Sequence, residues 1–396
     1  MWDKVFMFFR RRFKIIIILV FVLALSLGYF IGRVNSSRDR IISKLEVSLK
    51  KGDLTSLRRI VLLNGKTVSR DELKPLMKYY NENPQGIESI VSSLKNNQDT
   101  PVFKIQAEKR LFFNTYKLEL RTYDVDINTN FSNGEFSISG VKAAKSVSEG
   151  ESVENLIPGV YTINGLLKSD YGDIIASKEF VLMKDEEVQV NFDAIDVSIQ
   201  SIFKDADVYI NDKYTGKTVD EIGEIGPFKK DGSSYISIEK DFPWGTIKSN
   251  EEYIGDMPVI NLNIDMNNDE LNNDLIKVSD EFYRSVFTAL NNEKEEYIIN
   301  AQEDVKSKIY SILKEKYFLL KNEYIIDDIN IMDSKSEFTY NNGQYRANLI
   351  VEVDYIIEKK FFNLEKNKNS KKFFTKFIYD EKKQDWIVTE VENFSL

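Results

Sequence analysis

Apolar positions follow different rhythms along the chain, and the first is a continuous run. Ile15 to Ile31 (IIIILVFVLALSLGYFI) is seventeen residues without a charge. At about 1.5 Å of rise per residue it predicts a helix of roughly 26 Å, near the ~30 Å hydrocarbon core of a bilayer. From residue 36 to 97 the spacing turns helical. Ile41, Ile42, Leu45 and Leu49 predict one helix ended by Gly52, and Asp53 caps a second carrying Leu54, Leu57, Val61 and Leu62. Ser69 and Glu72 form a capping box for a third with Leu73, Leu76, Met77 and Tyr80. Asn83-Pro84 opens a fourth with Ile87, Ile90, Val91 and Leu94. Four short helices predict a small bundle.

The period then falls to two. Tyr116, Leu118 and Leu120 alternate with polar residues, as do Phe136 and Ile138, with turn signals at Asn133-Gly134 and Pro158-Gly159. This predicts a β-rich domain over 101–193. A second β-rich unit is predicted over 194–263, with Val208-Tyr209-Ile210 leading into a hairpin and turns at Gly226-Pro227 and Asp231-Gly232. Met266 to Asp274 is polar and reads as a linker. Over 271–396, Leu275, Val278, Phe282, Val286 and Leu290 mark one amphipathic helix, and Val305, Ile309, Ile312 and Leu313 another. Strands follow at Tyr345–Ile357, Lys372–Tyr379 and Trp386–Val391. Helices followed by antiparallel strands predict an α+β domain of the NTF2-like kind. The fold class expected is a multidomain, membrane-anchored chain: one transmembrane helix, a helical bundle, two β-rich domains and this C-terminal domain.

Charge orients the anchor. Lys4, Arg10, Arg11, Arg12 and Lys14 stand against Asp3 in residues 1–14, a local +4. Removing that +4 from the net −9 leaves −13 for the rest. The tight cluster Arg10, Arg11, Arg12 and Lys14 predicts a cytoplasmic tip (1–14) and an extracellular body. A cleaved signal peptide would use the small residues of Ala24-Leu25-Ser26. The apolar run instead continues through Leu27, Tyr29, Phe30 and Ile31, so an uncleaved anchor over 15–31 is expected. An acidic body argues against nucleic acid as a partner.

The chain has no cysteine and no histidine. Disulfides, thiolate nucleophiles, Cys-ligated metals and a Ser–His–Asp triad are excluded by composition. No catalytic, cofactor or metal residues are assigned, and no enzyme is expected. Gly216-Lys217-Thr218 lacks the P-loop glycine, since position 211 is Asn, and reads as hairpin. Asp205, Asp207 and Asp212 lack EF-hand spacing and read as turn and edge residues. Trp244, in Phe242-Pro243-Trp244-Gly245, is either a stacking platform for a sugar or peptide or a packed corner. Seven lysines (Lys359, Lys360, Lys366, Lys368, Lys371, Lys372 and Lys376) meet only Glu358 and Glu365 between 358 and 378, a local +5. With Asn367 to Ser370 as the loop, they form either a lysine-protected hairpin edge or a contact for an anionic wall polymer or lipid head group.

Three stretches resemble the TcaA/YvbJ family, the teicoplanin-resistance-associated membrane proteins of Gram-positive bacteria. Val68-Ser69-Arg70-Asp71-Glu72-Leu73-Lys74-Pro75-Leu76, with Asn83-Pro84, is similar to its helical second domain. Ala206-Asp207-Val208-Tyr209-Ile210-Asn211, Gly216-Lys217-Thr218, Ile225-Gly226-Pro227 and Phe242-Pro243-Trp244-Gly245-Thr246 resemble its later, PEGA-like β-domain. The C-terminal third resembles its NTF2-like domain. Many members begin with a cytoplasmic zinc ribbon on four cysteines. With no cysteine and about fourteen residues before the helix, no zinc-dependent cytoplasmic role is expected. The resemblance implies an envelope protein that influences wall homeostasis and wall-directed antibiotic susceptibility through a wall polymer or an envelope partner. The alternatives are an enzyme using the NTF2-like cavity, or a passive spacer.

Overall fold

The structure, a computed structural model, describes residues 2–35, 37–109, 114–139, 152–332, 336–359 and 366–396. The chain divides into two compact units, Met1–Ile195 with Gly226–Lys230, and Asp196–Ile225 with Asp231–Leu396. The first begins with helix α1 (Trp2–Asn35), whose window Ile15–Val34 has a mean hydropathy of 2.8 and is 0% buried. The apolar helix thus runs three residues past the expected end at Ile31. Its twenty residues span about 30 Å, the thickness of a hydrocarbon core.

α2 (Arg38–Lys51) buries Ile41, Ile42, Leu45 and Leu49 and stops at Gly52, whose φ of +65° favours glycine. The Asp53 carboxylate accepts the N–H groups of Thr55 and Ser56 at the start of α3 (Leu54–Ile60). α3 ends earlier than its apolar spacing predicts. Val61 and Leu62 instead enter a strand, β1 (Val61–Leu63), followed by β2 (Lys66–Thr67). Ser69 and Glu72 do close a reciprocal box, at 2.7 and 3.2 Å, but α4 begins only at Lys74 (Lys74–Glu82). α5 (Pro84–Lys95) follows, then β3 (Phe103–Lys109) and β4 (Asn114–Leu120). β1 pairs antiparallel with β2 and parallel with β4, which pairs with β3. One core holds Leu45, Leu57, Leu73 and Leu76 together with Phe103, Leu118, Leu120 and Ile157. The expected bundle of 36–97 is therefore closed by a sheet reaching to residue 120. Four short helices bury too little apolar surface to stand alone.

The rest of this unit holds β5 (Tyr123–Asn128), β6 (Glu135–Ile138), β7 (Ser152–Leu156), β8 (Gly159–Leu167), β9 (Ile174–Leu182) and β10 (Glu186–Gln189). They form two three-stranded sheets, β10-β5-β7 and β6-β8-β9. Val125, Ile127, Phe136, Ile163, Leu182 and Phe192 share their core. Gly159, expected in a turn, opens β8 instead. A side chain there would meet the α4 backbone, 2.6 Å from the Leu76 nitrogen. The residue is glycine because a strand is pressed against a helix.

The later β-strands are β11 (Ala194–Gln200), β12 (Asp207–Ile210) and β13 (Lys213–Thr218), then the single-turn α6 (Val219–Ile222) and β14 (Glu224–Lys229). β15 (Tyr235–Phe242), β16 (Gly245–Lys248), β17 (Glu252–Tyr253) and β18 (Val259–Asn261) complete the set. A sheet runs β13-β12-β15-β16, with β17 also on β15, while β11 pairs parallel with β18. Asn211 and Asp212, at φ +49° and +62°, make the two-residue turn between β12 and β13. Gly226-Pro227 lies inside β14, not in the expected turn. Proline has no N–H to lose, so it fits a strand position whose N–H no ladder needs.

α7 (Asp269–Asn292) and α8 (Glu303–Lys316) precede β19 (Glu323–Ile331), β20 (Glu337–Asn341), β21 (Gln344–Glu358), β22 (Lys366–Asp380) and β23 (Asp385–Glu392). The antiparallel order is β19-β21-β22-β23, with β20 also on β21. α7 buries Leu275, Val278, Phe282, Val286 and Leu290, and α8 buries Val305, Ile309 and Leu313. The segment expected as a linker is structured. Met266 is buried, the Asn268 side chain caps α7 by accepting the Leu271 N–H at 2.8 Å, and α7 itself begins at Asp269. Inside this domain the hydroxyls of Tyr283 and Thr375 lie 2.6 Å apart, both fully buried. Burial pushes the Tyr283 phenol well above its ordinary pKa. Thr375→Val should leave that phenol without its partner and cost about 1–3 kcal/mol, read as a lower urea midpoint for the second unit. An unchanged midpoint would mean the pair adds nothing.

Candidate functional site

The predicted loop Asn367 to Ser370 is strand. Asn367, Lys368, Asn369 and Ser370 pair in register with Ile357, Ile356, Tyr355 and Asp354, inside a fifteen-residue β22. Lys359 is exposed after β21. Lys360 lies outside the described residues, as do Phe361, Phe362 and the side chain of Lys366. Lys371 is exposed, on the parity of the buried Phe373, Thr375 and Phe377. Lys368, Lys372 and Lys376 take the opposite parity and meet acids from other strands of the sheet. Lys368 Nζ is 3.3 Å from Asp327, Lys372 Nζ 3.6 Å from Glu352, and Lys376 Nζ 2.9 Å from Glu392 and 3.0 Å from Glu390. Hydrogen bonds to Glu392 and Glu390 hold the Lys376 ammonium above its ordinary pKa. Three of the seven lysines thus stand, across the sheet, in a face of paired signs. Such a face projects a weaker field toward an anionic polymer than a free lysine cluster would. The side chains of Arg10, Arg11, Arg12 and Lys14 on α1 lie outside the described set.

Trp244 sits at the β15–β16 corner and is 5% exposed. Its indole N–H donates to the Met266 carbonyl at 3.0 Å, and the Asn268 amide donates to the Trp244 carbonyl at 3.2 Å. The ring stacks on Phe242 (5.4 Å) and meets Tyr345 edge-on (5.0 Å) and Trp386 tilted (5.6 Å). No ring face is left for a sugar. Trp244 is a rivet joining the later β-domain to the sheet of the C-terminal domain, the packed corner and not the platform.

Two open grooves lie in the first unit. One of about 610 Å³ runs over Phe136, Gly165, Leu166, Ile175 and Ser177, and one of about 340 Å³ over Tyr80, Asn81, Pro84 and Ile87. Glu135 is the one titratable group lining the first, whereas Lys50, Tyr80 and Glu88 line the second. Among the described residues no cluster of carboxylates suits a metal ion.

A surface that the chain order hides lies on the outer face of β13-β12-β15. Tyr209 pairs in register with Tyr214 across β12 and β13, their rings 5.4 Å apart. Tyr235 pairs with Tyr253 across β15 and β17, also 5.4 Å apart. Each hydroxyl donates to a carboxylate: Tyr209 to Glu239 (3.1 Å), Tyr214 to Asp207 (3.2 Å), Tyr235 to Asp212 (2.6 Å) and Tyr253 to Glu251 (3.3 Å). Lys248 donates to the other oxygen of Asp212 at 2.6 Å. Asp207 and Asp212, expected as turn and edge residues, also anchor tyrosines. Alternation in Val208-Tyr209-Ile210 and Tyr235-Ile236-Ser237-Ile238 was the available signal, but only strand pairing brings the four rings together.

Two family models match the chain: the TcaA protein second domain over residues 38–120, and the TcaA protein 3rd/4th domain over residues 193–264. The first ends with β4, where the structure closes the helical core. The curated proteins include a relative named "Uncharacterized membrane protein YvbJ", from Bacillus subtilis (strain 168). It is 22% identical over 385 residues, covering 92% of this chain. The chain spans 63% of that relative's length. No solved structure matches significantly. Both domain matches fall in the order that the fold displays, behind an unburied helix of membrane length, and this chain is a membrane protein that carries the TcaA second domain and the TcaA 3rd/4th domain.

Proposed function

We propose that the chain is a single-pass envelope protein, its N-terminal tip in the cytoplasm and its body outside, which acts by contact and not by catalysis. In this reading it influences wall homeostasis and wall-directed antibiotic susceptibility through a wall polymer or an envelope partner. The observation that carries it is the unburied apolar helix Ile15–Val34, preceded by Arg10, Arg11, Arg12 and Lys14 and followed by a body of packed domains. Two helices on an antiparallel sheet with register shifts in β19 and β22 support an NTF2-like reading of the C-terminal domain. The chemistry available there supports the non-catalytic role. The chain holds no His or Cys, and among the described residues no Asp or Glu is buried. Among the described residues the buried polar groups of that domain include the hydroxyls of Ser279, Ser285, Thr375, Tyr283, Tyr324 and Tyr355 and the indole N–H of Trp386, none of them a carboxylate or an ammonium.

Deleting the gene should change the inhibitory concentration of a wall-directed antibiotic, and the full chain should restore it. Residues 37–396 exported behind a cleavable signal should not. Restoration by the soluble body would overturn the anchored reading, and an unaltered deletion strain would overturn the wall role.

A further inference from the structure

The smaller groove lies where three helices meet. α2 and α4 bring their last turns to it, and α5 its first. Tyr80, on α4, is 2% exposed, and its hydroxyl has no hydrogen-bond partner among the described residues. That oxygen is not sealed: the little surface that Tyr80 keeps includes it and opens on the groove. Burial pushes the phenol well above its ordinary pKa, so it stays a donor. Buried polar groups are ordinarily paired, and one open only to a groove is satisfied by water or by what displaces it. Beside it, at Pro84 and Gln85, α5 starts without a cap. The Asn83 side chain makes no bond to the first turn, and its amide donates to the Tyr79 carbonyl at 3.0 Å instead. Uncapped N–H groups at a helix start call for an acceptor.

Charge narrows the ligand. Lys50 Nζ lies 2.7 Å from Glu46, and Glu88 adds to the attraction. An anion would meet a matched ammonium and the Glu88 carboxylate, while a cation would meet the positive end of α5. What the groove offers is neutral: donors at Tyr80 and α5, buried Leu49 and Ile87, and the exposed amides of Asn81 and Gln85. We propose that this groove binds an N-acetylated amino sugar, its acetyl methyl on Leu49 and Ile87, its carbonyl accepting from the Tyr80 hydroxyl, and its ring hydroxyls on Asn81, Gln85 and Glu88. The volume of about 340 Å³ is at the small end of ligand pockets and suits a single sugar unit. Binding here is independent of the wall role, and the purified protein and the deletion strain can fail their tests separately.

Full-length protein in detergent would be titrated with N-acetylglucosamine, followed by saturation transfer to the sugar protons. The acetyl methyl should receive the strongest transfer, and glucose and glucosamine, which lack the acetyl group, should bind at least ten-fold more weakly. N-acetylalanine amide carries the acetamide without ring hydroxyls, and tighter binding of it would overturn the sugar in favour of a peptide. Tyr80→Phe removes one oxygen and should weaken N-acetylglucosamine at least ten-fold, as loss of a built hydrogen bond does. The urea midpoint of the first unit should stay level or rise, since no hydrogen bond within the protein is lost. Gln85→Ala, at an exposed position, should weaken binding several-fold with the fold intact. Equal affinity in both variants, equal binding of glucose, or a lower midpoint for Tyr80→Phe, which would show the hydroxyl held within the fold, would overturn the proposal.

Discussion

Replacing Trp244 with alanine should lower the stability of the second unit by about 3–5 kcal/mol, in the range of large aromatic truncations. The indole fills the space between Phe242, Tyr345 and Trp386, and its N–H satisfies the Met266 carbonyl. Its loss opens a cavity where the later β-domain meets the C-terminal sheet. The same contact bears on where the chain can be cut. Polar composition places a boundary before residue 271, and residues 271–396 are expected from sequence to fold alone. The structure assigns them a partner. A fragment of 271–396 lacks both Trp244 and the Asn268 cap, and uncovers Tyr345, Tyr379 and Trp386. It should unfold at clearly lower urea than 194–396 and bind a hydrophobic dye. Equal midpoints for the two fragments would contradict the rivet.

Gly159→Ala should be almost as damaging in the first unit. The added methyl would sit 2.6 Å from the Leu76 nitrogen and 2.7 Å from Pro75 Cβ, against helix backbone that has no rotamer to change. α4 and β8 must separate to admit it, an overpacking cost of about 1–3 kcal/mol. The thermal transition of the first unit should fall while that of the second stays in place. An unshifted first transition would mean that helix and strand part without cost.

What the chain order makes legible is local. The αL glycine at Gly52, the Asp53 cap, the buried stripe of α7 and the apolar run of α1 each depend on residues within a turn or two of one another. What it conceals is pairing between distant strands. Val61 and Leu62 extend a helical spacing, yet β4, more than fifty residues later, offers them a parallel strand. Pro158-Gly159 has the composition of a turn, and only the packed α4 shows why glycine is needed. Lys368 and Lys376 look like free charge because Asp327, Glu390 and Glu392 stand on other strands. The tyrosine face is hidden for the same reason, its four rings being spread over β12, β13, β15 and β17.

The central claim, an anchored chain with its body outside, can be tested by labelling because the chain has no cysteine of its own. Ile175→Cys places one thiol at a side chain 80% exposed in the first unit, and a second version carries its single cysteine in a tag ahead of Met1. Intact cells would be treated with a membrane-impermeant maleimide, then lysed and treated again. The thiol in the body should label in intact cells on a product that remains with the membrane, and the N-terminal thiol only after lysis. Labelling of the N-terminal thiol in intact cells with protection of the body thiol, or release of a labelled body free of the N-terminal tag, would contradict it.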